Sequence, residues 1–204
     1  MSNDLSFLDS YWEFCEKFPN RSASSVASGN HHFNTLNEYL LQEIASHGIS
    51  EYSIKMRYRI KKRWDLCFID KKVLIEYKSM SDRDNRWLNI GKNAYNMIEK
   101  AIGNAVDTKN ANPDFKLGYI YVFFLRDRSN LLKHKKKMNE LLTAFERMVD
   151  DGIYDFFCPI ISFGKNDHME MSNHYTLNRF LFAIKDIKVK TDTPFNDCLQ
   201  ESIS

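Results

Sequence analysis

The chain has 204 residues, of which 43% are hydrophobic and 14% aromatic, enough to bury a core within one domain and too apolar for a disordered chain. Its net charge is only +2, but the basic residues bunch at positions 55–63 and 133–137. Local basic blocks in a balanced chain fit a protein that touches a polyanion on one side, and fit many that do not.

The four cysteines, Cys15, Cys67, Cys158 and Cys198, stand far apart with no Cys-x-x-Cys. That spacing argues against a zinc site or a disulfide framework and for reduced thiols in a cytosol. The first residues carry neither a basic leader nor a continuous apolar stretch, and the longest apolar run, 117–125, is too short to span a bilayer. The expectation is a soluble cytoplasmic protein with no membrane segment.

In chain order, Phe7, Leu8, Tyr11, Phe14 and Cys15 at helical spacing predict a first helix over 6–18. A loop rich in Ser, Asn and Gly follows at 19–30. Phe33, Leu36, Leu40 and Ile44 predict a second helix over 33–44, stopped by Gly48. The period then changes. Ile54, Met56, Tyr58 and Ile60 alternate with Lys55, Arg57, Arg59 and Lys61, the pattern of a strand with one buried and one wet face. Residues 64–69 and 73–78 predict two strands joined by Asp70-Lys71-Lys72, a connection short enough only for a hairpin.

After a polar loop at 79–92, Ala94, Met97, Ile98, Ala101, Ile102, Ala105 and Val106 predict an amphipathic helix. The run 117–125 predicts a strand covered on both faces. Residues 132–150 predict a long helix with a basic first turn, 156–163 a final strand and 177–187 a last helix, with a polar tail over 188–204. This order predicts an α/β domain spanning 1–187, a mixed central sheet flanked by helices.

The chemistry concentrates on the hairpin. Side chains alternate along a strand, so Glu76 and Lys78 emerge on one face, about 7 Å apart, while Val73, Ile75 and Tyr77 face the other way. Asp65 begins the paired strand, where a tight hairpin brings it beside Glu76. Two carboxylates crowded together repel unless a cation sits between them, and hard oxygen ligands suit Mg2+, with Mn2+ as a substitute. An ion so held would neutralise charge on a phosphodiester and ease deprotonation of an attacking water. Lys78 would offset the negative charge that develops. Hydrolysis by this route is expected to leave a 5′-phosphate and a 3′-hydroxyl. Glu-x-Lys by itself is as readily a solvated strand face, so the triplet gains meaning only with Asp65, the hairpin and the basic strand before it.

Asp65 followed eleven positions later by Glu76-Tyr77-Lys78 resembles the PD-(D/E)XK nuclease motif, with Trp64 in the place of its proline. Four stretches resemble the XhoI type of type II restriction endonuclease: Arg63-Trp64-Asp65-Leu66; Ile75-Glu76-Tyr77-Lys78-Ser79; the segment from Glu99 through Ala101-Ile102-Gly103-Asn104-Ala105 to Asp107; and Gly152-Ile153-Tyr154-Asp155 before Cys158. The resemblance covers about residues 31–164, the expected catalytic core, and the Ala-Ile-Gly-Asn-Ala segment is the most specific. The resemblance implies a restriction-endonuclease-like fold and a homodimer cutting a short palindromic site in double-stranded DNA with magnesium. It further implies a prokaryotic cytoplasm and a cognate DNA methyltransferase encoded nearby. Known members of this type read CTCGAG, but the loop 79–92 matches the asparagine-rich family loop only loosely. A repair or junction nuclease of the same fold, or a DNA-binding module without catalysis, are the competing readings.

Nucleases of this kind often add an acid from an earlier helix. On the 33–44 helix, Glu43 falls between Leu36 and Leu40 on the inward stripe, whereas Glu38 lies almost opposite and should be wet. Glu43 is therefore a candidate for the site, or a residue at a helix end that reaches solvent. Lys55, Arg57, Arg59 and Lys61 form a basic rail suited to phosphate contact, or to an ordinary exposed face. Arg83, Asn85, Arg86, Asn89 and Lys92 carry the right chemistry for groove contacts, since Arg suits guanine and Asn adenine. The lysines at 133–137 would open a helix against its dipole, a cost that invites an anionic partner, although a solvated basic turn is the commoner explanation. His31-His32 lacks a third ligand at useful spacing. Gly103-Asn104 inside a helix costs stability, and close packing of another backbone would explain it.

Overall fold

The computed structural model describes residues 5–18, 38, 53–54, 64–68, 71–81 and 90–187. The expected loop at 19–30, His31-His32, Glu43, the rail Lys55, Arg57, Arg59 and Lys61, the loop residues Arg83, Asn85, Arg86 and Asn89, and the tail lie outside them. Glu38 is helical and exposed, as expected.

A short 3-10 turn, Ser6–Leu8, leads into α1 (Asp9–Lys17). Then come β1 (Ser53–Ile54), β2 (Leu66–Phe68), β3 (Val73–Ser81), α2 (Ile90–Ala111), β4 (Lys116–Phe124), α3 (Arg128–Asp150), β5 (Phe156–Gly164), β6 (Asp167–Glu170) and α4 (Leu177–Asp186). Among the described residues the strands form one six-stranded sheet in chain order. β1, β2 and β3 pair antiparallel, β3, β4 and β5 parallel, and β5 and β6 antiparallel again. Antiparallel pairs can close with a short turn, as β5 and β6 do, whereas each parallel pair needs a crossover, which α2 and α3 supply. The architecture is α/β, a mixed open sheet flanked by helices. Among the described residues no helix is long and apolar enough to cross a membrane.

The sheet separates two apolar layers. On one face Leu66, Phe68, Ile75, Tyr77, Ile120, Val122 and Ile160 pack under α1 and α4, against Leu8, Tyr11, Phe180 and Ile184. On the other, Cys67, Leu74, Leu117, Tyr119, Tyr121, Phe123 and Ile161 pack under α2 and α3, against Ala101, Ala105, Leu141 and Phe145. β4 is buried along its length after Lys116, which is why it reads as a continuous apolar run. Gly118 keeps α4 close to the sheet, because a Cβ there would meet Cζ of Phe180 at 2.8 Å.

Local chemistry sets the boundaries. Asp127 caps α3 by accepting from the Ser129 backbone N–H at 2.8 Å. Gly152, at φ +70°, ends the same helix, with its N–H bonded to the Val149 carbonyl and that of Ile153 to Met148. α3 thus begins four residues before the expected position 132. The lysines at 133–137 lie beyond its first turn, so the argument from an opposed dipole lapses. Two other expectations are corrected alongside it. β3 runs on to Ser81 and α2 starts at Ile90, so the loop 79–92 contracts from both ends and Lys92 belongs to the first turn of a helix. A further strand, β6, follows the one expected to be last.

Lys71 links the hairpin to α4. Its buried ammonium donates to the carbonyls of Ile184, Lys185 and Ile187 at 3.1, 2.8 and 2.9 Å, at the helix C-terminus where positive charge is favoured. Burial lowers its pKa, against the opposing pull of Asp186. Lys71→Met is expected to cost about 1–3 kcal/mol, since it removes three hydrogen bonds made by one ammonium. Urea unfolding measures the loss, and hydrogen exchange should place the local opening in α4.

Within α2, Ala101 and Ala105 are buried, and Met97, Ile98 and Ile102 pack partly against the core. Val106 departs from the expected stripe and is exposed. Gly103 also faces outward, and among the described residues nothing lies within 4 Å of a Cβ built on it. Close backbone packing within the described residues therefore does not account for it. Gly103→Ala is expected to stabilise the chain by roughly 0.5–1 kcal/mol through helix propensity, a gain that the urea midpoint reports.

Candidate active site

The register of the hairpin builds the site. Leu66 pairs with Ile75 and Cys67 with Leu74, so Asp65, one residue before β2, stands across from Glu76. Asp65 follows the same alternation as Cys67, and Glu76 and Lys78 the same as Leu74, which turns all three toward the α2–α3 face. The Asp65 N–H donates to the Ile75 carbonyl at 3.1 Å, and its Oδ2 accepts from the Tyr77 N–H at 2.9 Å. That carboxylate is therefore held by the backbone of the strand carrying Glu76.

Lys78 closes the group. Its Nζ lies 2.6 Å from Glu76 Oε1 and 3.8 Å from Asp65 Oδ2. Burial alone would lower the Lys78 pKa, but Glu76 and then Asp65 outweigh it and hold the ammonium above the ordinary lysine range. Its stabilising effect is therefore complete at neutral pH and fades only as pH rises through that raised value. Exposure grades across the three. The Glu76 side chain is 6% exposed, that of Asp65 23% and that of Lys78 42%, so the site has a dry floor and an open mouth.

Two tyrosines form that floor, and the sequence reading assigned neither a role. Tyr119 on β4 is the register partner of Glu76 and is fully buried beneath Phe145 at 4.8 Å and edge-on to Tyr154 at 5.4 Å. Tyr154, just past α3, donates to the Ala101 carbonyl at 3.3 Å. Burial pushes both phenols well above their ordinary range, and Glu76 adds to the rise in each. They stay protonated and present uncharged groups to the carboxylates. A signal existed: a tyrosine inside an otherwise apolar buried strand carries a polar end that needs a place.

Asp155 acts elsewhere. It accepts from the Leu117 N–H at 2.9 Å and pairs with Lys116 and Lys109 at 3.0 and 3.1 Å, fixing the start of β4. Gly152-Ile153-Tyr154-Asp155 is thus a helix stop, a site wall and a strand anchor in succession.

Asp65 and Glu76 offer oxygen donors alone, a set that suits a magnesium-sized ion, which usually takes one or two carboxylates and keeps several waters. Among the described residues no group of three or more His, Cys, Asp or Glu side chains gathers around a possible ion. Comparison with known proteins finds no family model, no curated protein and no solved structure that matches this chain. What the chain does must be argued from these residues.

Proposed function

We propose that the chain is a magnesium-dependent endonuclease of the type II restriction class, with a PD-(D/E)XK-like core, that cuts double-stranded DNA at a short specific site. The observation that carries this reading is the meeting of Asp65 and Glu76 across a hairpin with the Lys78 ammonium within 4 Å of both. Asp65 and Glu76 are the residues that would hold Mg2+, or Mn2+ in its place. Once bound, the ion supplies charge neutralisation at the scissile phosphate and eases loss of a proton from the attacking water.

The remaining work falls to the chain. Glu76 is buried beside protonated phenols, which keeps water from crowding its carboxylate. Asp65 is fixed by the Tyr77 N–H, so its position does not depend on substrate. Lys78 reaches from the floor to the open side, where its ammonium can donate to a phosphate oxygen as charge develops there. The products expected are a 5′-phosphate and a 3′-hydroxyl. Duplex DNA as substrate, a homodimer reading a palindrome, a methyltransferase as genetic partner and a prokaryotic cytoplasm all follow from the resemblance in the sequence.

The test is digestion of a plasmid of known sequence by the full chain with Mg2+. Discrete fragments with mappable ends are expected. A smear would replace sequence specificity with general nuclease activity, and cutting only of branched substrates would move the chain to the junction-resolving class. Intact DNA with binding retained, under Mg2+ and Mn2+ alike, would leave a DNA-binding module.

A further inference from the structure

We propose that the Lys78 ammonium and a divalent ion compete for the Asp65–Glu76 pair, and that the ion enters by exchange with the ammonium. This rests on the metal-nuclease reading of Asp65 and Glu76. Lys78 Nζ is 2.6 Å from Glu76 Oε1 and 3.8 Å from Asp65 Oδ2, so it stands between the two carboxylates that an ion would bridge. Magnesium binds carboxylate oxygen at about 2.0–2.1 Å. A cation at that distance from Glu76 Oε1 and an ammonium 2.6 Å from the same oxygen would lie within about 5 Å of each other, like charges repelling in a partly dry site. That repulsion drives the ammonium outward. Its side chain is 42% exposed, against 6% for Glu76, so it has room to swing toward the mouth while the carboxylates stay.

The exchange gives Lys78 two successive positions. Without metal it neutralises the facing carboxylates, whose mutual repulsion would otherwise spread the hairpin. With metal it is displaced to the side from which phosphate arrives. Cation loading and the freeing of the ammonium are then one event, so Lys78 becomes available to a phosphate only when the site is charged with metal. A consequence separates this from a purely catalytic lysine. Removing the charge at position 78 must strengthen metal binding even as it abolishes cleavage.

Mn2+ binding to the full chain without DNA, followed by the paramagnetic resonance of free Mn2+, tests the exchange. A neighbouring opposite charge shifts a carboxylate's cation affinity by about one to three tenfold steps when the cation is a proton. Lys78→Met and Lys78→Gln are therefore expected to bind Mn2+ at least about tenfold tighter than the wild type. Lys78→Arg, which keeps the charge, should stay near the wild-type value, and Glu76→Gln should lose binding. Circular dichroism checks that each variant is folded. In the wild type, the Lys78 Cε resonance should move on addition of Mg2+, a readout that needs no substitution. Equal or weaker binding by the charge-removed variants, with binding still lost in Glu76→Gln, would overturn the exchange and leave the metal site standing. An unmoved Cε resonance at saturating Mg2+ would overturn it as well. Absence of Mn2+ binding in every protein would overturn both the exchange and the metal-nuclease reading beneath it.

Discussion

Glu76→Gln is expected to abolish DNA cleavage while leaving the fold in place. Glutamine has nearly the same shape, and the position is 5% exposed within a packed sheet, so little repacking is needed. What changes is charge. The amide removes the formal negative charge facing Asp65 and offers a neutral oxygen in place of a carboxylate. Loss of a residue that merely supports a metal ligand typically costs about 10–100-fold, so loss of a ligand's charge should exceed that range in single-turnover cleavage. The partner of Lys78 also weakens from an ion pair to a neutral contact, which should soften the hairpin only modestly. Single-turnover rates on one duplex, alongside thermal unfolding of both proteins, separate the chemical loss from any structural one.

Phe145→Ala is expected to be the most damaging core substitution near the site. Phe145 is 2% exposed and touches Tyr119 at 4.8 Å, Tyr121 at 5.6 Å and Phe157 at 4.9 Å, the last as a stacked pair. Removing a buried phenylalanine ring costs about 3–5 kcal/mol through lost transfer energy and the cavity left behind. In a domain of this size that lowers Tm by roughly 6–20 °C. The effect should reach function, because Phe145 covers Tyr119, the strand neighbour of Glu76. Phe145→Leu keeps most of the volume and is expected to recover most of the stability. Calorimetry of the three proteins decides this, and equal Tm values for wild type and Phe145→Ala would refute the packing argument.

Much of this arrangement was legible in the residues alone, and the reasons differ from place to place. The hairpin was readable because Asp70-Lys71-Lys72 leaves no room for another connection, and the period of two then dictates that Glu76 and Lys78 share a face. β4 was readable because a strand buried on both faces needs apolar residues throughout. The start of α3 was not, since its first turn carries Arg128 and Ser129 rather than apolar residues. The signal there was Asp127, whose side chain caps the helix. β6 was missed for a related reason: Asp167–Glu170 is a short polar edge strand with almost no hydrophobic period. Its only mark is the turn at Gly164–Asp167, where Asn166 adopts φ 56°.

In the site, composition identified the charged residues but not the uncharged wall around them. Tyr119 and Tyr154 come from elements 43 and 78 residues beyond Glu76, and only the parallel pairing of β3 with β4 puts Tyr119 beside it. Long-range register of that kind has no local signature. Lys71 is a similar case. As the middle residue of a polar turn it reads as solvent-exposed, and it is buried because the end of α4 supplies three carbonyls that accept from its ammonium.

The most direct measurement is the conversion of supercoiled plasmid by the metal-stripped chain as Mg2+ is added, run beside Asp65→Asn. Strand cleavage should appear with Mg2+, stop on chelation and be absent from the variant at every Mg2+ concentration. A plasmid left intact by the wild type, or cut as well by Asp65→Asn as by the wild type, would contradict the assignment of phosphodiester hydrolysis to Asp65, Glu76 and Lys78.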